Sequence, residues 1–124
     1  MERKEYCHYC NEEHIVSETK DGNGNVVGLF CNRKKALIKA ATTKWNGEDI
    51  YGELRQFARQ NVDLVAVSRL KPEKVEGLAR KMAYLFLQSP YAKERLINYY
   101  FAAYHMTTVI SRLRSEVRAK KVGR

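Results

Sequence analysis

Three cysteines and a nearby histidine are the residues of this chain best suited to chemistry. Cys7, Cys10 and Cys31 are all of its cysteines, an odd number that cannot pair completely. In a reducing compartment thiols at such spacing point to metal rather than to disulfides. Cys7 and Cys10 form a Cys-x-x-Cys step within Tyr6-Cys7-His8-Tyr9-Cys10-Asn11. Asn11 tolerates the left-handed backbone that lets a chain fold over until two sulfurs and their neighbouring amides face one ion. Three reduced thiols in a small core are the simpler alternative, because free cysteine is commonly buried. Residues 1–31 argue against it: they carry six acids and few large apolar side chains, too little to hold a hairpin without a staple.

The elements that must position these thiols follow from the residues between them. Ile15-Val16-Ser17-Glu18-Thr19 is rich in β-branched residues, Asp21-Gly22-Asn23-Gly24 carries two overlapping turn signals, and Val26-Val27-Gly28-Leu29-Phe30 resumes an apolar run. This is a hairpin. It ends on Cys31, Asn32 can cap, and residues 33–45 have the composition of a helix. The order of knuckle, hairpin, cysteine and helix resembles zinc-ribbon and treble-clef domains over about a quarter of the chain. A second Cys-x-x-Cys pair would put a ligand at position 34, which is Lys34. His14, four residues after Cys10, is the nearest remaining donor; His8 lies inside the knuckle, with its ring facing outward, and His105 is far along the chain. The expected ligands are therefore Cys7, Cys10, His14 and Cys31. The expected ion is Zn2+, which accepts Cys3His sets, ahead of iron. A cysteine-rich set saturates the ion, so the site reads as structural rather than catalytic.

From Asn32 onward helices dominate. One is expected over 33–45 with Leu37, Ile38 and Ala41 on one face, ending at Asn46-Gly47. Another spans 48–60 with Ile50, Leu54, Phe57 and Ala58 inward, and Arg55 and Arg59 share its exposed stripe. Residues 62–70 fit a short helix or a strand, with the helix preferred. Pro72 opens a helix to about 87, and Ser89-Pro90 opens one that meets no breaker before about Lys121. Along that last helix Leu96, Tyr100, Ala103, Thr107, Ile110, Leu113 and Val117 recur at threes and fours, flanked by Tyr99, Phe101 and Tyr104. Such a segment is a central core helix first, a protein or homodimer interface second, and a platform for base stacking on its tyrosines third. The fold class is thus mainly α: a small zinc-ribbon or treble-clef-like hairpin module over 1–35, then a basic helical domain over 36–124 of four to five helices with a long C-terminal one.

The chain has 124 residues, 44% hydrophobic and 30% charged, which suits a globular protein and excludes wholesale disorder. Its longest uncharged stretch, residues 96–111, falls short of a bilayer span, and Met1-Glu2-Arg3-Lys4-Glu5 is no secretory signal, so a cytoplasmic protein without membrane contact is expected. The net charge of +9 is uneven: residues 1–31 hold three basic and six acidic residues, a net of −3, leaving +12 for the remainder. That excess favours a polyanionic partner, nucleic acid above all, with DNA ahead of RNA. Arg112, Arg114, Arg118, Lys120 and Lys121 face a single acid, Glu116, and Arg114, Arg118 and Lys121 share one helical face that can meet successive phosphates. Residues 61–70 resemble in part the turn and second helix of a helix-turn-helix, with Asp63 as cap and Arg69 as a candidate contact. Gln60, Leu64 and Val65 depart from that pattern. No nucleotide loop, metalloprotease motif or activated nucleophile is present, so no catalytic residue is assigned. The function expected is zinc-dependent folding with nucleic-acid binding, regulatory in character. The alternative is an adaptor, inhibitor or complex subunit that binds protein through the aromatic C-terminal helix.

Overall fold

The computed structural model describes the backbone of residues 2–122 and the side-chain surroundings of residues 3–120. The chain begins with an antiparallel meander of four strands in sequence order: β1 (Glu2–Cys7), β2 (Glu12–Lys20), β3 (Val26–Cys31) and β4 (Ala36–Ala40). The expected hairpin is its centre. Its turn is fixed by Asp21, a buried carboxylate that accepts the amides of Asn23 at 2.9 Å, Asn25 at 3.0 Å and Asn46 at 3.0 Å. Burial pushes the Asp21 pKa up, but those amides outweigh it and the carboxyl titrates below its ordinary range.

The helix expected over residues 33–45 does not form. Ala36–Ala40 is instead β4, paired with β3 through Gly28↔Ala40, Leu29↔Lys39 and Cys31↔Ala36. Alternation explains the outcome. Leu37 enters the main core with Val27 and Trp45, while its neighbour Ile38 points to the other face and joins Cys7, Val16, Leu29 and Cys31. A helix would place both on one side, whereas a strand divides them between two apolar clusters. Asn46-Gly47, read as a helix stop, is the two-residue turn of a small hairpin, β5 (Lys44–Trp45) and β6 (Glu48–Asp49), with φ of 54° and 84°.

Among the described residues five α-helices follow: α1 (Tyr51–Asn61), α2 (Leu64–Ser68), α3 (Val75–Phe86), α4 (Pro90–Arg95) and α5 (Tyr99–Val122). A single 3-10 turn, Pro72–Lys74, leads into α3. Asp63 caps α2 by accepting the amides of Val65 and Ala66, and Ser89 caps α4 by accepting that of Ala92. The unbroken helix expected from residue 90 is interrupted. Leu96 adopts φ of +54°, and Asn98 restarts the chain by accepting the amides of Tyr100 at 2.7 Å and Phe101 at 3.2 Å. At about 1.5 Å per residue, α5 is about 36 Å long, enough to cross the domain and project beyond it.

α5 is the central element, packed against α1, α2, α3 and β4. Its inward face is offset from the expected stripe: Phe101, Ala102, His105, Met106, Val109, Ile110 and Leu113 are buried, whereas Tyr100, Ala103 and Thr107 are half-buried and Leu96 is 82% exposed. The break at Leu96 leaves that residue outside α5. No described helix is long and apolar enough to cross a membrane.

Candidate metal centre

Cys7 closes β1, Cys10 lies in the turn after it, His14 is the third residue of β2, and Cys31 closes β3. The first turn has the geometry read from the sequence. Asn11 takes φ of 57°, and its amide donates to the Cys7 carbonyl at 2.8 Å. A second turn of the same form follows Cys31, where Lys35 takes φ of 55° and donates to the Cys31 carbonyl at 2.8 Å. Its residue types conceal it, since lysine is a poor marker of left-handed backbone. Within it the Lys34 amide points at Cys31 Sγ, 3.4 Å away.

The two turns and β2 bring one donor atom each from Cys7, Cys10, His14 and Cys31 within 4.8 Å of one another. Cys7, His14 and Cys31 are buried and Cys10 is half-buried. Cys10 Sγ stands 3.8 Å from Cys31 Sγ, and Cys31 Sγ stands 3.6 Å from His14 Nε2. Metal–sulfur bonds of about 2.3 Å and metal–nitrogen bonds of about 2.0–2.1 Å in a tetrahedron give S–S edges of about 3.8 Å and S–N edges of about 3.6 Å. Those two edges match the measured contacts, and the four residues form a group that could hold one metal ion. His14 is further oriented by its other ring nitrogen, Nδ1, which lies 2.9 Å from the Ile15 carbonyl. That contact leaves Nε2 as the unprotonated donor, the usual outer support of a metal-bound imidazole.

The electrostatics favour a thiolate at Cys31. Burial raises the Cys31 pKa, but the amides of Lys34 and Arg33 and the thiols of Cys7 and Cys10 bring it down to about 7. Burial, then hydrogen bonds to Cys31 and Cys7, push Cys10 up. Arg33 lies against Cys10 and Glu12, a cation beside a cluster that becomes anionic on ionisation. The other histidines stay outside. His8 is exposed and stacks on Tyr9, while His105 is buried in the helical core with Nε2 2.9 Å from the Thr42 carbonyl.

The basic residues singled out near the C-terminus do not form one free row. Arg112 donates to the Tyr51 hydroxyl at 2.9 Å and sits over that ring. Arg114 is half-buried, with Nε donating to the Leu70 carbonyl. Arg69, Arg118 and Lys120 are exposed, and the side chain of Lys121 lies outside the described residues. What the fold does assemble is a cluster from two helices: Arg55 pairs with Glu116 at 2.7 Å, and Arg59 and Lys120 act on the same carboxylate. α2 is only five residues long, too short for the recognition helix of a helix-turn-helix. Beside the metal turns lies a groove that includes Tyr9 and Lys35, neither singled out as functional in the sequence, together with Tyr99 and Tyr104 of the aromatic helix. Tyr9 carried a signal, its place between two ligands. Comparisons with protein-family models, curated proteins and solved structures give no match to this chain.

Proposed function

We propose that this is a non-catalytic zinc protein of a reducing compartment that binds nucleic acid, its zinc holding together the sheet from which the helical part is built. The mixed thiolate and imidazole set suits zinc better than iron, and four protein donors leave no open position for a substrate. Among the described residues, the sheet face around the cluster has Val16, Leu29 and Ile38 as its apolar buried partners. Metal binding there is also folding energy.

The observation that carries the nucleic-acid part is the convergence of Arg55, Arg59 and Lys120 on the single carboxylate of Glu116. Three cations from two helices against one anion leave a positive surface where α5 projects, with exposed Arg118 beside it. The test is binding of labelled duplex and single-stranded oligonucleotides at about 50 and about 200 mM salt. Replacing Arg59, Arg118 and Lys120 with Gln is expected to lower the salt slope by about 2 to 3, one counterion per lost phosphate contact. An unchanged slope, or no binding, overturns the reading.

Exposed apolar side chains favour a second reading, self-association. Val65 is 53% exposed and Leu85 39% exposed, beside an apolar groove lined by Val62, Val67, Leu70 and Met82. Light scattering that finds a dimer, returned to monomer by Val65→Lys and Leu85→Lys, supports it.

A further inference from the structure

We infer that the groove between the metal turns and α5 holds an unpaired base of a single-stranded nucleic acid. This rests on the nucleic-acid reading above and specifies the form of nucleic acid bound.

The groove has a volume of about 380 Å³, at the small end of the range of about 300–1,000 Å³ found for ligand pockets. Its walls carry five rings and, besides Lys35, the ion pair of Arg80 with Glu76 at 2.7 Å, whose charges offset each other. His8 and Tyr9 come from the first metal turn, Lys35 from the second, and Tyr99, Tyr100 and Tyr104 from α5. The rings are held before any ligand arrives. Tyr9 donates to the Leu37 carbonyl at 3.1 Å and stacks against His8 with centroids 4.1 Å apart. Tyr100 rests on Phe30 at 4.9 Å and meets the edge of Tyr99 at 5.3 Å. Rings fixed in this way lose little freedom on binding.

The occupant follows from what the walls offer. Leu37 and Ile38 reach the groove but are buried, and the half-buried Ala36 and Ala103 offer one methyl each, so the aliphatic surface left to anchor an apolar peptide side chain is small. Aromatic faces beside a free lysine suit a base with its phosphate, because every base has a π-face and every nucleotide an anion. Paired bases hide their faces in the stack, which selects single strands over duplex. The groove also leads somewhere. Thr107 and Thr108 line both it and the next hollow along α5, which contains Arg112 and Glu116. From Tyr104 to Arg112 is about 12 Å of helix, so a strand leaving the groove runs toward the cations of α1 and α5.

The test uses the full-length zinc-loaded protein and four labelled or competing polymers: a thymidine dodecamer, an abasic dodecamer of equal charge, a duplex dodecamer and poly-glutamate. The thymidine strand is expected to bind about tenfold more tightly than the abasic one, as a single stacked base supplies. Tyr104→Leu is expected to bring the two affinities together while leaving the salt slope unchanged. Tyr99→Leu serves as a second variant, each checked for folding by circular dichroism and for zinc content. Equal affinities for thymidine and abasic strands with a steep salt slope overturn the groove assignment and leave the basic-surface reading standing. Tighter binding of duplex, or of poly-glutamate, also overturns it, the latter in favour of an acidic protein partner. Absence of binding to all nucleic acids overturns both.

Discussion

Lys35 stands to Cys31 as Asn11 stands to Cys7: each lies four residues after its cysteine, at φ of 55° and 57°, and donates its amide to that cysteine's carbonyl at 2.8 Å. Lys34 therefore occupies the place that Cys10 holds in the first turn. His14→Ala is expected to weaken zinc by more than the about 10- to 100-fold that losing an outer support costs. Adding Lys34→Cys to it is expected to restore one zinc per chain, measured by competition with a chelator. A double variant as weak as His14→Ala alone shows that the turns are not equivalent.

Leu96 sits at φ of +54° with its side chain 82% exposed, so its strain is not offset by packing. Leu96→Gly is expected to stabilise the fold by about 1 kcal/mol, the cost of left-handed backbone in a residue with a Cβ. The measurement is the urea midpoint at unchanged m-value. An unchanged or lowered midpoint rejects this account of the α4–α5 break.

The clustering of Cys7, Cys10, His14 and Cys31 and the central hairpin were legible because cysteine spacing, Asp21-Gly22-Asn23-Gly24 and the β-branched runs are local signals. β4 was not. Lysine, alanine and leucine over residues 33–45 favour a helix locally, and only pairing with β3 and the division of Leu37 from Ile38 make it a strand. The turn that precedes β4 was hidden for a similar reason, its left-handed position being Lys35 rather than glycine or asparagine. The break after α4 had one usable sign, Asn98 as a cap, while Leu96 gave none. Ser89-Pro90 and Asp63, whose signals are chemical rather than periodic, marked helix starts correctly.

Gly28 is a further point at which β4 depends on β3. A Cβ built there would lie 2.7 Å from the Lys39 carbonyl oxygen, a backbone atom that cannot swing away. Gly28→Ala is expected to cost about 1–3 kcal/mol, the range for overpacking. Because β3 ends on Cys31, zinc affinity should fall with it. Retention of both stability and zinc affinity shows that the two strands part without penalty.

His105 makes stability depend on pH. Burial favours the neutral imidazole and lowers its pKa, against smaller opposing effects of the Thr42 carbonyl and Asp49. The unfolded chain, with an ordinary value of about 6.5, then takes up the proton first. The neutral ring's contribution is whole above about pH 6.5 and is lost as pH falls through the folded pKa. His105→Gln is expected to flatten this dependence between about pH 7.5 and about pH 5, while the metal ligands contribute equally to both proteins. Denaturation curves of equal pH slope for the two proteins refute it.

Arg114 separates a packing role from a phosphate-binding one. Its Nε donates to the carbonyl of Leu70, in the segment that joins α2 to α3, so the side chain ties α5 to that connection. A half-buried carbonyl loses its partner when the guanidinium is removed, at a cost of about 1.5–3 kcal/mol for a hydrogen bond to a charged group. Arg118 is exposed on the same helix, and its replacement should change stability by less than about 0.5 kcal/mol. The expected outcome is an opposite pattern in two measurements: Arg114→Gln lowers the urea midpoint and leaves the salt slope of nucleic-acid binding unchanged, and Arg118→Gln does the reverse. A salt slope that falls with Arg114→Gln at constant stability would show that the guanidinium leaves Leu70 for a phosphate on binding, which would restore the single basic row along α5.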